Sequence, residues 1–217
     1  MPGESKADLK ERTARVVAAL KKAYPKAGCA LDRSNPFELL AATILSAQCT
    51  DVRVNEVTKT LFKKYRSVED FANADQADLE NDIRSTGFFR NKARNIRAAA
   101  AKVLSDFGGE VPRTMADLLT LPGAARKTAN CVLGTAYGIA EGVVVDTHVK
   151  RLAGRLGMTT HTDPVKIERD LMDLLPKNDW IRFSFLLIHH GRAVCSARKP
   201  DCPSCPINKL CPSAGKV

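Results

Sequence analysis

Met115-Ala-Asp-Leu-Leu-Thr-Leu-Pro-Gly-Ala-Ala-Arg-Lys-Thr-Ala-Asn130 is the stretch on which the fold turns. Thr114 is placed to cap a short helix over 115–120. Leu121-Pro122-Gly123 then stops it, because proline cannot continue the hydrogen-bond ladder and glycine accepts the backbone of a tight turn. A second helix is predicted over roughly 125–137. Two helices on so short a turn make an αα-hairpin, and the second turns its N-terminal N–H groups and positive dipole end outward. That end suits a phosphate oxygen and would grip a nucleic-acid backbone without reading its sequence. Judged on the turn alone, an ordinary packing hairpin is the simpler reading.

Outward from the hairpin the apolar spacing stays helical. Leu9 to Ala23 places Val16, Val17 and Leu20 on one face and ends before Pro25. Asn35-Pro36 is an N-cap with proline at the first helical position, opening an apolar helix through Ile44 to Cys49. Asp51 is expected to cap the next helix, with Val54, Val57, Leu61 and Phe62 inward. Short amphipathic segments follow at 67–73 and 75–84, then an Ala-rich helix from Asn91 to Phe107, stopped by Gly108-Gly109 and Pro112. Beyond the hairpin, Val143-Val144-Val145 is the single strand-like run, too short to make a sheet. Helices are predicted from Asp146, from Asp163-Pro164 to Pro176, and from Asn178 or Asp179 to about Val194. No internal repeat or low-complexity linker interrupts the chain. The fold class is all-α.

The charge is lopsided. Thirty-four Lys and Arg face 24 Asp and Glu over 217 residues, for a net charge of +10. That surplus is the footprint of a polyanion binder, although a solvated basic surface carries it equally well. No run approaches the roughly 20 apolar residues that span a bilayer, and the first residues lack the apolar core of a signal peptide. A cytoplasmic location and no membrane partner are the expectation. In a reducing compartment, seven Cys are not a disulfide framework. Cys29, Cys49 and Cys131 lie singly among apolar neighbours and are expected to be buried. Cys195, Cys202, Cys205 and Cys211 crowd together as Cys-x6-Cys-x2-Cys-x5-Cys. Four thiolates so close can surround one metal centre; by spacing alone, zinc and an iron–sulfur cluster stand even.

Asp146, emerging from Val143-Val-Val before Thr147-His148, is a natural N-cap. Such a position can also hold a carboxylate rigidly at the mouth of a cleft. Taken together, the hairpin through Lys127-Thr-Ala-Asn130, the Val-Asp146-Thr-His148 segment and the four-Cys loop resemble the endonuclease III family of helix-hairpin-helix DNA glycosylase/AP lyases. The resemblance runs from about residue 10 to 212. It includes Leu45-Ser-Ala-Gln48-Cys-Thr-Asp51, like the segment whose Gln enters the duplex, and Thr86-Gly-Phe88-Phe89, like the loop that wedges the opposite strand. Either Phe could equally pack in a core.

What the resemblance implies is specific. A six-helix barrel with the hairpin is expected over 29–139, and an iron–sulfur domain over 1–28 with 140–217, flanking a DNA-binding cleft. The damaged nucleotide would be flipped into that cleft. Lys127 would be the nucleophile and Asp146 its carboxylate partner. Gln48, Phe88, Leu121, Gly123, Ala125, Arg126, His148, Arg198 and Lys199 would contact DNA. Cys195, Cys202, Cys205 and Cys211 would hold a [4Fe–4S] cluster. The implied activity is excision of oxidised pyrimidines from double-stranded DNA and cleavage 3′ to the abasic site by a monomer. The alternatives are a mismatch-thymine or pyrimidine-dimer glycosylase of the same superfamily, or a non-catalytic DNA-binding iron–sulfur module. Two positions depart from the family's habit. Its turn usually reads Gly-x-Gly where this chain has Gly123-Ala124-Ala125, so a positive φ at 125 would strain the backbone. Its wedge often reads Leu-Tyr where this chain has Phe88-Phe89.

Overall fold

Side-chain caps set most of the α-helix starts in the computed structural model, which describes residues 4–216. The chain divides into two units, Ala30–Glu141 and Met1–Cys29 with Gly142–Val217. Among the described residues every regular element is helical.

In the unit formed by residues 1–29 and 142–217, α1 spans Lys6–Ala23 and opens on a capping box, in which the Ser5 and Asp8 side chains each accept from the other's backbone N–H. The sequence reading started this helix at Leu9 and missed that box. Helices α9 (Thr147–Arg155), α10 (Pro164–Leu174) and α11 (Trp180–Ala193) complete it. Their core joins Val16, Val17 and Leu20 to Val149, Leu152, Ile167, Leu171, Phe183 and Leu187. The long C-terminal segment after α11 has one short 3-10 turn, Asn208–Leu210. Asp179 stands before α11 without making a side-chain cap bond, so the expected cap there is absent.

The unit over 30–141 carries α2 (Pro36–Leu45), α3 (Asp51–Lys64), α4 (Val68–Asn73), α5 (Gln76–Asp82), α6 (Phe89–Phe107), α7 (Met115–Leu118) and α8 (Arg126–Tyr137). Every residue of α2 from Leu39 to Leu45 is buried, as a helix apolar on all sides requires. It packs against α3, α6 and α8. Ala93, Ala99 and Ala100 give α6 a small-residue face that its neighbours approach closely.

Several boundaries differ from the sequence expectation, each for a local reason. Helix α2 ends at Leu45 rather than Cys49, because Ser46 and Ala47 turn off the helix and Gln48 takes φ +53°. Thr50, not Asp51, caps α3: its hydroxyl accepts from Arg53 N–H, leaving Asp51 in the first turn, where its charge meets the helix dipole. Phe62 is half-buried rather than inward. The 75–84 segment breaks into α5 and a 3-10 turn, Arg84–Thr86, and α6 starts at Phe89 instead of Asn91. Cys29, Cys49 and Cys131 are half-buried, not the fully enclosed side chains their neighbours suggested.

Candidate functional site

Within the 30–141 unit, Gln48, Phe88, Asn91, Lys92 and Gly123 line a hollow of about 240 Å³. Gln48 (φ +53°) and Phe88 (φ +50°) are the two non-glycine residues with positive φ among the described residues. A left-handed backbone costs a non-glycine residue roughly 1–2 kcal/mol, so it persists only where the surrounding structure enforces it. Both side chains are exposed, and Phe88 keeps 64% of its surface in solvent, a large apolar group held outward. Core packing, the alternative role for Phe88, does not occur. Phe89 is half-buried, with the guanidinium carbons of Arg84 and Arg90 5.8 and 5.1 Å from its ring centre.

The hairpin forms the third wall. Its turn closes where Ala124 N–H donates to Leu121 O at 3.0 Å. Gly123 takes φ +80°, and a Cβ there would lie 3.0 Å from Asn95 Cβ, so glycine is required twice over. Ala125 sits at φ −78°, ψ 170°, an ordinary extended N-cap. The strain expected at 125 is therefore absent: the left-handed residue of this turn is Gly123. Leu121 is buried, so any contact it makes with DNA passes through its backbone. No side chain caps α8. Arg126 is half-buried and Lys127 exposed in its first turn.

In the other unit, Asp146 caps α9, its Oδ1 accepting from Val149 N–H at 2.8 Å. The carboxylate is half-buried and locked in direction by that bond. His148, half-buried two residues on, has Nδ1 3.2 Å from an Arg151 guanidinium nitrogen. A Cβ on Gly191 would fall 2.7 Å from that Nδ1, so this glycine makes room for the imidazole.

Cys195, Cys202, Cys205 and Cys211 all line one cavity of about 30 Å³. Burial, and then the charges of the neighbouring thiols, push the Cys205 and Cys211 thiols above the ordinary range. A cationic centre would offset that crowding of thiolate charge. Among the described residues, no three His, Cys, Asp or Glu side chains converge tightly enough to ligate a single ion.

The sequence reading missed two side chains that hold this cavity. Arg155 donates to Cys195 Sγ at 3.2 Å and to the carbonyls of Ser196 and Ala197. His190, buried in α11, lies between Tyr24 Oη (2.9 Å from Nδ1) and Cys205 Sγ (3.5 Å from Nε2). Burial pushes its pKa down to about 4, so the ring is neutral at neutral pH. A neutral ring carries one N–H, and the tautomer decides whether Tyr24 Oη or Cys205 Sγ receives it. A His in an apolar helix was the available signal; nothing marked Arg155. The loop between the first two Cys is shaped by Ser196, whose hydroxyl donates to Lys199 O at 2.6 Å. Arg198 and Lys199 are exposed on it.

Residues 41–177 match the HhH-GPD superfamily of base excision DNA repair proteins. The chain is similar to endonuclease III of Synechocystis sp., at 58% identity over 208 residues, 96% of this chain and 95% of the relative. It is also similar to two solved structures, each at 45% identity with a TM-score of 0.89, covering 94% of this chain and 96% of theirs. One is a non-covalent endonuclease III–DNA complex, the other a trapped endonuclease III–DNA covalent intermediate. Among the described residues no helix is long and apolar enough to cross a membrane.

Proposed function

The chain belongs to the HhH-GPD superfamily and, within it, to the endonuclease III family of DNA glycosylase/AP lyases of base excision repair, and we propose how its own residues divide that work. Lys127 is the nucleophile. Its Nζ bonds to C1′ of the flipped deoxyribose as the glycosidic bond breaks and the base leaves. Ring opening gives a Schiff base; loss of a C2′ proton then expels the 3′ phosphate by β-elimination. Asp146 assists removal of the amine proton and faces the positive charge that develops on the sugar. Oxidised pyrimidines are the substrates, and the protein acts as a cytoplasmic monomer on duplex DNA.

The supporting observation is the start of α8: a helix end with no capping side chain, an extended Ala125 and an exposed Lys127 one residue inside it. The first N–H groups of a helix have no acceptor within their own helix, so this end suits a phosphate while the lysine reaches the sugar. Gln48 fills the space left by the flipped nucleotide and Phe88 wedges the opposite strand. Gly123, Ala125 and Arg126, with the Leu121 backbone, follow the phosphates of one strand; His148, Arg198 and Lys199 meet phosphates elsewhere.

Cys195, Cys202, Cys205 and Cys211 would hold a [4Fe–4S] cluster, which suits four soft thiolates lining one cavity. When bound, it cross-links the C-terminal segment. No chemical step passes through it.

Borohydride reduction tests the assignment of Lys127, because it converts the Schiff base into a permanent protein–DNA crosslink. Wild-type protein is expected to be trapped on abasic duplex. Lys127→Gln should abolish trapping while duplex binding survives, and Asp146→Asn should slow base release on the order of 100-fold. Wild-type crosslinking by Lys127→Gln would mean another amine is the nucleophile.

A further inference from the structure

Lys92 is the one fully enclosed lysine among the described residues, at 4% exposure in the first turn of α6. Its ammonium donates to Leu45 O and Thr86 O, each at 2.8 Å. Leu45 is the last residue of α2, three positions before Gln48. Thr86 closes the 3-10 turn two positions before Phe88. The backbone N–H of Lys92 donates in addition to Phe88 O, at 3.1 Å. One residue thus ties down both chain segments in which a non-glycine residue takes the left-handed region, among the described residues.

The chemistry explains why a lysine is used there. A carbonyl at a helix C-terminus has no partner from its own helix and must find one when buried. Leu45 O and Thr86 O are such carbonyls, and a single ammonium satisfies both at once. With its carbonyl engaged from outside, each turn ends where it does, and the next residues are free to take the strained backbone that points Gln48 and Phe88 outward. Burial holds the ammonium below the usual lysine range, a cost consistent with a group retained for its bonds rather than its solvation.

We propose that Lys92 is a positioning residue: it clamps the two loops so that Gln48 and Phe88 enter the duplex together, making strand separation one step. The proposal rests on the reading that these two side chains enter DNA. The role assigned to Lys92 runs through Leu45 O and Thr86 O, to which its ammonium is committed, and not through contact with sugar or base.

The test uses the intact, iron-loaded protein and a duplex with a non-cleavable abasic analogue opposite 2-aminopurine, whose fluorescence rises on unstacking. Wild type should brighten the probe. Lys92→Met, of similar length but without donors, should lose most of that signal and release base from lesion duplex about 100-fold more slowly, the scale of a small misplacement. Cleavage of a single-stranded abasic oligonucleotide, which needs no strand separation, should stay within about twofold of wild type, since the lysine has no part in that chemistry. Equal loss on both substrates would make Lys92 a core residue only, and full activity on both would overturn the clamp outright. If Gln48→Ala and Phe88→Ala leave the brightening intact, the reading beneath the proposal fails and takes it along. If those two abolish brightening while Lys92→Met does not, the clamp alone is wrong. Should Lys92→Met not fold, Lys92→Gln, which keeps a neutral donor, goes through the same assays; if neither folds, the positioning role is rejected.

Discussion

Loops in both units are held in shape, but by different means. In the 30–141 unit, the Gln48 and Phe88 loops spring from helices whose cores include Leu39, Leu40, Leu45, Ile83 and Ile96, all fully or almost fully buried. Two carbonyls and one buried lysine finish the work. In the other unit, the segment after α11 has little core of its own: Ile207 is its one fully buried apolar side chain among the described residues. Its shape comes from Arg155, from Arg12, which donates to Leu156 O and Leu210 O, and from four cysteines around a common space. A short irregular segment cannot bury enough apolar surface to offset its lost conformational entropy. It needs a cross-link, and the proposed cluster would provide one.

The largest expected effect tests that division directly. Removing iron, or changing Cys205→Ser, should destabilise the segment after Ala193 by several kcal/mol, on the order of what a structural metal contributes. Hydrogen exchange should show amides in 195–216 losing protection while those of α2, α6 and α8 keep theirs. Equal loss in both units would mean that they fold as one, and the contrast would break.

A smaller effect sharpens the other side of the comparison, where backbone geometry does the holding. Gly123→Ala places a side chain at φ +80° and against Asn95, and should cost about 2 kcal/mol in urea unfolding. Ala125→Gly, two residues on, should raise stability by no more than about 1 kcal/mol, because glycine is the better N-cap and no left-handed strain is there to relieve. A large gain from Ala125→Gly would show that position 125 is strained after all.

The smallest effect concerns the anchoring of Arg12. The hydrogen bond from Arg12 holds the Glu4 carboxyl below the usual carboxylate range, against a smaller opposing push from burial. A carboxylate whose folded pKa is depressed stabilises the protein above its unfolded pKa of 4.5 and loses that contribution as pH falls through the folded value. Wild type should therefore lose slightly more stability than Glu4→Gln on going from about pH 5 to about pH 3, by under about 1 kcal/mol. Parallel curves would show that the pair contributes nothing to holding α1.

Much of the site could be read from residue order because its parts are local. The Leu121-Pro122-Gly123 turn, the Asp146 cap and the spacing of the four cysteines each depend on neighbours a few positions away, and short-range sterics and hydrogen bonding express themselves directly in sequence. Helix existence was equally legible, since apolar periodicity reports the buried face. The ends were less so. Thr50 and Asp51 are both good caps, and only the direction of the arriving chain selects Thr50.

By itself, then, the amino-acid order determined an all-α chain, a hairpin with an open helix end, a capped carboxylate and a four-thiol segment. Tertiary structure decided the rest. It put the left-handed backbone at Gln48, Phe88 and Gly123 rather than at Ala125. It also brought Lys92 to carbonyls 47 and 6 residues away, and Arg155 to the cysteine loop about 40 residues on. The physical reason is one of range. A positive φ on a residue other than glycine is locally unfavourable, and a buried cation is unfavourable without partners, so neither follows from local preference. Each exists only because distant parts of the folded chain hold it there.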